Sequence, residues 1–157
     1  MNQLNGEIPL EIGQLENLEA LKLSSNVFSG DIPTNIGNLT NLKVLELGSN
    51  YLTGNIPVEL SALKQLKVLS LIDNKLEGYI PAELGELKRL EELVLSTNQL
   101  SGILPFEVAS LRNLKTIMVS DNKMDQEYVS VSGNNPPGLM MIQSDTAVAD
   151  HVDEDED

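Results

Sequence analysis

Leucines and other aliphatic residues recur along the chain with a period of 24 residues. In residues 63–86 the pattern is L-x-x-L-x-x-L-x-L-x-x-N-x-L-x-G-x-I-P-x-x-L-G-x, and the neighbouring units keep the same frame. A repeat of this length is typical of a solenoid, in which each coil buries its apolar side chains against its neighbours. The polar and special residues that keep step are Asn2, Asn26, Asn50, Asn74, Asn98 and Asn122; Gly6, Gly30, Gly54, Gly78 and Gly102; and Pro9, Pro33, Pro57, Pro81 and Pro105.

The first half of each unit predicts a short strand followed by a turn. Leu69 and Leu71 alternate with residues of the opposite side, so one face of the strand should be buried. The strand should end before Asn74, because an inward amide there can bond backbone groups that no strand reaches. Repeated in every unit, the asparagines would form a ladder along the solenoid.

The second half of each unit is predicted to return the chain to the next strand. Gly78 suits a positive φ or the close approach of a neighbouring coil. Pro81 fixes φ and lacks a donor, so a short helical turn can begin there. The residues of this half that should point inward are Leu76, Ile80, Leu84, Leu87 and Leu90.

The whole pattern resembles the plant-type leucine-rich repeat over residues 1–124. The resemblance implies an α/β fold: a right-handed solenoid with short parallel strands on the concave face and 3₁₀ or irregular segments on the convex face. Members with this repeat are mostly ectodomains of receptor kinases, receptor-like proteins and secreted inhibitors of pathogen wall-degrading enzymes. The period alone indicates only a repeat protein that binds a partner.

The pattern divides the chain into three parts. Residues 1–124 are expected to form the solenoid, as a half repeat and about five further repeats. The half repeat at residues 1–14 is interpreted as a truncation or as a first coil that serves as its own cap. Residues 125–143 are predicted to be a degenerate C-terminal cap or linker, in which residues 139–142 either dock or stay loosely attached. Residues 144–157 are predicted to be a disordered acidic tail.

Composition and charge narrow the classes of partner. Hydrophobic residues make up 41% of the chain and aromatic residues only 3%, which suits a layered aliphatic core. The net charge is −14, and residues 125–157 hold nine acids and no base. This balance argues against nucleic acid and against anionic membranes, since both require a basic face. No apolar run is long enough to insert directly into a membrane.

The compartment stays open. The chain has no cysteine, whereas extracellular members of the resembled family usually carry cysteine pairs in caps. The first residues lack the basic start and apolar stretch of a signal peptide. A complete chain would therefore be cytoplasmic, and a receptor fragment would lie on the extracellular face of the membrane.

A ligand site is expected on the concave strand face, where solenoids commonly bind. Its apolar members should form a patch across adjacent strands, with charged residues around it. The alternative is that the valines only reflect the β-propensity of half-exposed strand positions. The candidate residues are Lys22, Val44, Glu46, Val68, Ser70, Ile72, Asp73, Glu92, Val94 and Met118.

Other chemistry is sparse in the sequence. Asn38-Leu39-Thr40 is an N-glycosylation sequon, and Asn38 should face solvent. His151 lies in the acidic tail, whose carboxylates lack the spacing of a formed cation site. We expect no metal, no cofactor and no catalytic constellation.

These features favour a non-catalytic module that recognises a protein or peptide through its concave face, like a fragment of a receptor ectodomain. Two other classes stay open: an intracellular scaffold, and a secreted inhibitor of a cell-wall-degrading enzyme. A fourth interpretation is the sensor fragment of a receptor whose kinase domain lies elsewhere.

Overall fold

The computed structural model describes residues 2–125 and 140–142, and the chain coils through them in a solenoid of three sides. One side is a six-stranded parallel sheet, the main sheet, in the order β11-β9-β7-β6-β4-β2. Each strand pairs with the residue 24 positions further along, as Val44 does with Val68. The strands are β2 (Ala20–Lys22), β4 (Val44–Glu46), β6 (Val68–Ser70), β7 (Glu92–Val94), β9 (Thr116–Met118) and β11 (Met140–Ile142).

A second side carries shorter parallel pairings, which the sequence analysis did not predict. Here the register is 22 residues, as between Ser29 and Tyr51. Two isolated bridges, Asn55 with Glu77 and Tyr79 with Ser101, continue the same offset. The strands of this second sheet are β1 (Asn5–Glu7), β3 (Val27–Asp31) and β5 (Tyr51–Thr53), with β8 (Ser101–Gly102) and β10 (Lys123–Met124) paired separately.

The third side is built from short helical segments, each of which follows a proline. The prolines have φ near −65° and extended ψ, so each holds the residue before the helix in a non-helical conformation (Pro81: φ −64°, ψ 130°). Within the described residues, no helix is long and apolar enough to cross a membrane. The segments are the 3₁₀ helices Leu10–Gln14, Thr34–Asn38, Val58–Ala62 and Ala82–Glu86, and the α-helix α1 (Phe106–Ala109).

The leucine layers form one continuous core between the three sides. Leu69 and Leu71 are completely buried, as the alternation predicted. The inward positions of the second half of that unit are confirmed as well, with exposures of 0–2% for Leu76, Ile80, Leu84, Leu87 and Leu90. The expected α/β leucine-rich-repeat solenoid is therefore confirmed.

Glycines recur at two positions of the repeat, here called glycine columns, and each position requires glycine for a different physical reason. The column of Gly78 has φ between 70° and 85° in all five units, which confirms the predicted positive φ. The column of Gly37 lies between consecutive helical segments, where an added Cβ would stand 2.6 Å from the carbonyl oxygen of Glu59. Close packing of adjacent coils therefore requires glycine at Gly37.

The residue before each ladder asparagine also has a positive φ, although none of these residues is a glycine. The values lie between 53° and 59° at Ser25, Ser49, Asp73, Thr97 and Asp121. Left-handed backbone is costly for residues with a Cβ. The tight turn out of every main-sheet strand therefore stores some strain.

Strand β11 joins the main sheet beside β9, with Met140 opposite Thr116. Residues 139–142 are predicted either to dock or to stay loosely attached, and residues 140–142 pair with β9. The other residues of the predicted cap or linker, and the whole predicted tail with His151, lie outside the described part of the chain.

Candidate recognition surface on the main sheet

The asparagine ladder holds the ends of the main-sheet strands. Asn74 donates from Nδ2 to the carbonyl oxygens of Leu47, Leu71 and Ile72 at 3.1–3.3 Å. Its Oδ1 accepts from the backbone N–H of Leu52 in the preceding coil at 3.0 Å. Asn26, Asn50, Asn98 and Asn122 repeat this bonding, which confirms the predicted ladder for five of the six asparagines. The exception is Asn2, whose side chain makes no hydrogen bond to a described residue. Because every coil is bonded to the next, the strands present a preorganised face.

The outward side chains of the main sheet stand in two rows set by the register. One row runs through Ala20, Val44, Val68, Glu92 and Thr116. The other row runs through Lys22, Glu46, Ser70, Val94 and Met118.

The apolar candidates form two cross-strand pairs. Val44 is opposite Val68 in the first row, and Val94 is opposite Met118 in the second. All four are half-buried. Val68 is opposite Glu92, so the two pairs lie diagonally across the sheet and do not form one straight row. A ligand that contacts both pairs has to cross the strands obliquely.

The polar candidates stand beside these pairs. Lys22 donates to Glu46 across two neighbouring strands at 3.1 Å, with the lysine side chain 60% exposed. Glu92 is exposed beside Val68, and Ser70 is half-buried between Glu46 and Val94. The surface therefore offers two apolar pairs, with Glu92 opposite Val68 of the first and Ser70 opposite Val94 of the second.

Ile72 and Asp73 lie just beyond the strands. The Ile72 side chain leans over the neighbouring coil at Gly48, where an added Cβ would stand 2.6 Å from Ile72 Cγ2. Asp73 is exposed and borders a cleft of about 220 Å³ where the main sheet meets the second sheet. Tyr51 forms another wall of this cleft, and the Lys75 ammonium lies 5.2 Å from the centre of its ring.

A row of ion pairs lies at the beginning of the main-sheet strands. The Glu91 carboxylate forms ion pairs with the ammonium groups of Lys67 at 3.3 Å and Lys115 at 2.5 Å, which lie on the coils on either side. The hydrogen bond from Lys115, followed by that from Lys67, lowers the pKa of Glu91. The same contact raises the pKa of Lys115. Lys43 pairs with Glu19 in the first coils at 2.7 Å.

Asn38 lies away from the main sheet, as the last residue of the 3₁₀ helix Thr34–Asn38. It is exposed, as predicted. A modification there would leave the outward face of the main sheet free.

Four basic residues that border this surface are not among the residues predicted from the sequence. Lys64, Lys88, Arg89 and Arg112 occupy the turns just before the strands, and the large negative net charge concealed them. The 24-residue period was a sufficient signal, because it places these positions on consecutive coils.

The chain belongs to the leucine-rich repeat family, since the family described as "Leucine-rich repeat region" matches residues 1–144. The solved structures that it resembles identify it as a plant-type member. Comparison with curated proteins gave no match.

Among solved structures, the chain is similar to a TDR receptor, with 43% identity and a TM-score of 0.76 over 79% of this chain. It is also similar to the plant peptide hormone receptor RGFR1, solved in complex with RGF2, with 34% identity and a TM-score of 0.78 over 79% of this chain. A plant ice-binding protein is 31% identical, with a TM-score of 0.78 over 91% of this chain and 54% of the other. The chain spans only 22% and 20% of the two receptor chains.

Proposed function

We propose that this chain is a non-catalytic recognition module that binds a peptide or protein segment on the outward face of the main sheet. The observation that carries the proposal is the pair of half-buried apolar contacts, Val44 with Val68 and Val94 with Met118, on four adjacent strands. Binding is favoured when a partner covers partly exposed apolar groups on a preorganised surface, because apolar area is removed from water. The similarity to receptors, one of them solved with RGF2, supports a peptide as the partner.

The polar neighbours would orient such a peptide. Lys22 and Glu46 form an exposed ion pair at one end of the second row, and Glu92 stands beside Val68. Partly screened charges of this kind contribute little to affinity, but they discriminate between partners. A peptide with apolar side chains that contact both pairs, and a cation near Glu92, fits this arrangement.

The test replaces apolar groups of the face with carboxylates. Peptides are first selected on the wild-type chain from a random display library. The variant Val68→Glu/Val94→Glu should then bind the selected peptides at least about tenfold more weakly, which corresponds to about 1.4 kcal/mol. A buried carboxylate without a partner is unfavourable at the interface.

The matched control is Val58→Glu/Ile103→Glu, which adds the same charge at exposed aliphatic residues away from the main sheet. It should leave binding of the selected peptides unchanged. Equal weakening by both variants, or by neither, would contradict the use of the main-sheet face. Thermal melts should show both variants folded, since surface substitutions usually change stability little.

Asn38 is proposed as a glycan acceptor when the chain is expressed through a secretory route. Its exposed position at the end of a helical segment supports access by an enzyme. Mass spectrometry of the secreted chain and of Asn38→Gln tests this, and an unmodified Asn38 peptide from the secreted wild type would contradict it.

A further inference from the structure

Cations gather on one edge of the solenoid although the chain as a whole is strongly acidic. The main-sheet strands β2, β4, β6, β7 and β9 are each preceded by a two-residue turn between two leucines, which we call a leading turn: residues 16–17, 40–41, 64–65, 88–89 and 112–113. The last three leading turns contain Lys64, Lys88, Arg89 and Arg112 and no acid. Lys88, Arg89 and Arg112 are exposed, and the Lys64 side chain is 51% exposed.

Hydrogen bonds hold these turns side by side. Arg89 donates from its guanidinium to Gln65 Oε1 in the preceding turn. Asn113 donates from Nδ2 to the carbonyl oxygen of Lys88 at 2.6 Å. Neighbouring coils of the main sheet lie about 4.8 Å apart, so the cations of consecutive turns are close neighbours.

Three of these cations form no salt bridge with a carboxylate of the described residues. Lys64 pairs with Glu86 and lowers its pKa, and the charge of Lys88 contributes to lowering the same pKa. Lys88, in contrast, donates to the carbonyl oxygen of Gly85, and Arg89 donates to Gln65. The Arg112 side chain has no hydrogen bond or ion pair to any described residue.

The contrast with the neighbouring ion-pair row is informative. There Glu91 lies between Lys67 and Lys115 and bonds both, so each of these lysines has a carboxylate partner. The last three leading turns themselves contain no acid, and the nearby Glu86 is paired with Lys64. Like charges on adjacent strands repel each other, and an external anion relieves that repulsion.

We propose that the leading turns with Lys64, Lys88, Arg89 and Arg112 form a binding site for a short acidic segment of a partner peptide. The inference rests on the proposed function in one respect: the peptide that binds the main-sheet face is the same peptide that carries the acidic segment. The turns directly precede β7 and β9, which carry Val94 and Met118, so an apolar segment on that pair and an acidic segment at the turns are neighbours along one chain. Arginine binds carboxylates in a two-bond geometry, which adds specificity.

The dimensions favour a peptide over a nucleic acid. The three turns span about 10 Å along the solenoid, from two coil spacings, which accommodates two or three carboxylates. The turns contain no aromatic side chain on which a base could stack. The net charge of −14 opposes a long polyanion.

The experiment titrates an acetylated and amidated hexaglutamate peptide into the ¹⁵N-labelled full chain at low salt. Amide shifts should concentrate at residues 64–65, 88–89 and 112–113. Hexaglutamine of the same length should cause none. The variant Lys88→Gln/Arg112→Gln should weaken hexaglutamate binding by about tenfold or more, whereas binding should fall by less than about threefold in Lys75→Gln/Lys123→Gln, which removes the same charge elsewhere.

Three other outcomes would each contradict a binding site for an acidic segment at the leading turns. Equal weakening in both double variants would mean a response to net charge alone. Inorganic phosphate that causes the same shifts at the same concentration would mean an adventitious ion only. Oligothymidylate that binds more tightly than hexaglutamate would assign the edge to nucleic acid.

One further variant separates this site from the main-sheet face. Val94→Ala/Met118→Ala removes an apolar pair without changing the charge. It should retain wild-type binding of hexaglutamate while binding the display-selected peptides more weakly. Loss of hexaglutamate binding in this variant would contradict a separate site at the leading turns, whereas unchanged binding of the selected peptides would contradict only the proposed function.

Discussion

The first coil and the central coils contain the same repeat positions in very different surroundings. Leu15 and Leu63 occupy the same position of the repeat, yet Leu15 is 51% exposed and Leu63 is completely buried. Leu4 is 57% exposed, whereas its counterpart Leu52 is buried. Within the described residues, no strand pairs with the outer edge of β2. A leucine of the repeat is therefore a core residue only where coils pack against it from both sides.

The largest expected effect separates these two leucines. Leu63→Ala should reduce the free energy of unfolding by about 2–5 kcal/mol, because it leaves a cavity between packed coils. Leu15→Ala should cost less than about 1 kcal/mol, because much of its side chain already contacts water. Chemical denaturation of the two variants measures the difference. Equal costs would mean that position in the repeat decides stability independently of neighbours.

The ladder gives the next largest contrast. Asn74→Ala should cost about 1–3 kcal/mol, because the buried N–H of Leu52 loses its partner and the carbonyls of Leu47 and Leu71 each lose one of two amide donors. Asn2→Ala should be nearly neutral, since Asn2 is exposed and its side chain makes no hydrogen bond to a described residue. Denaturant melts that show the same loss for both asparagines would contradict the structural role assigned to the ladder.

Much of the fold could be predicted because the 24-residue period shows which residues occupy equivalent positions in successive coils. The spacing of Leu69, Leu71 and Asn74 predicts a strand, its buried face and its end. The 22-residue register of the second sheet could not be predicted, since residues such as Asn55 and Glu77 show no apolar alternation there. The repeat does not specify the pairing of β11, because the in-frame glycine and Ile-Pro anchors of the earlier units do not return after residue 125.

The candidate site was less predictable than the fold. Its residues follow from the strand frame, but which of them are neighbours depends on the register. Adding 24 to Val68 gives Glu92, so the period itself already indicated that Val68 and Val94 stand in different rows. The positive φ at Thr97 has no local signal, because threonine rarely adopts it.

A smaller effect on stability is expected for substitutions that should act alike in the first coils and in the central coils. Thr97 and Ser25 both have positive φ, in a central coil and in the first coils respectively. Thr97→Asn should stabilise the chain by up to about 1 kcal/mol, since asparagine adopts this conformation with less strain. Ser25→Asn should also stabilise, because the strain depends on the turn and not on flanking coils. Thermal unfolding of both variants tests this, and a stabilisation confined to one of them would contradict it.

The smallest effect concerns the ion pairs of Glu91, which has a lysine from each neighbouring coil. Its folded pKa lies below the ordinary value of 4.5. The pairs therefore contribute stability above that value and lose it as the pH falls through the lower folded pKa. The difference in unfolding free energy between wild type and Glu91→Gln should shrink from neutral pH down to about pH 3. High salt should reduce it at every pH, and a difference that grows in acid would contradict the assignment.

Within the described residues β2 pairs with a strand on one side only, and this affects the order in which these residues lose structure. In a linear array, a coil with one neighbour opens more readily than a coil with two. Amide hydrogens of β2 should therefore exchange with solvent faster than those of β6 and β7, which have partner strands on both sides. Local opening then separates Lys22 from Glu46 while Val68 and Glu92 are still paired. The recognition surface loses its charged end before its apolar centre.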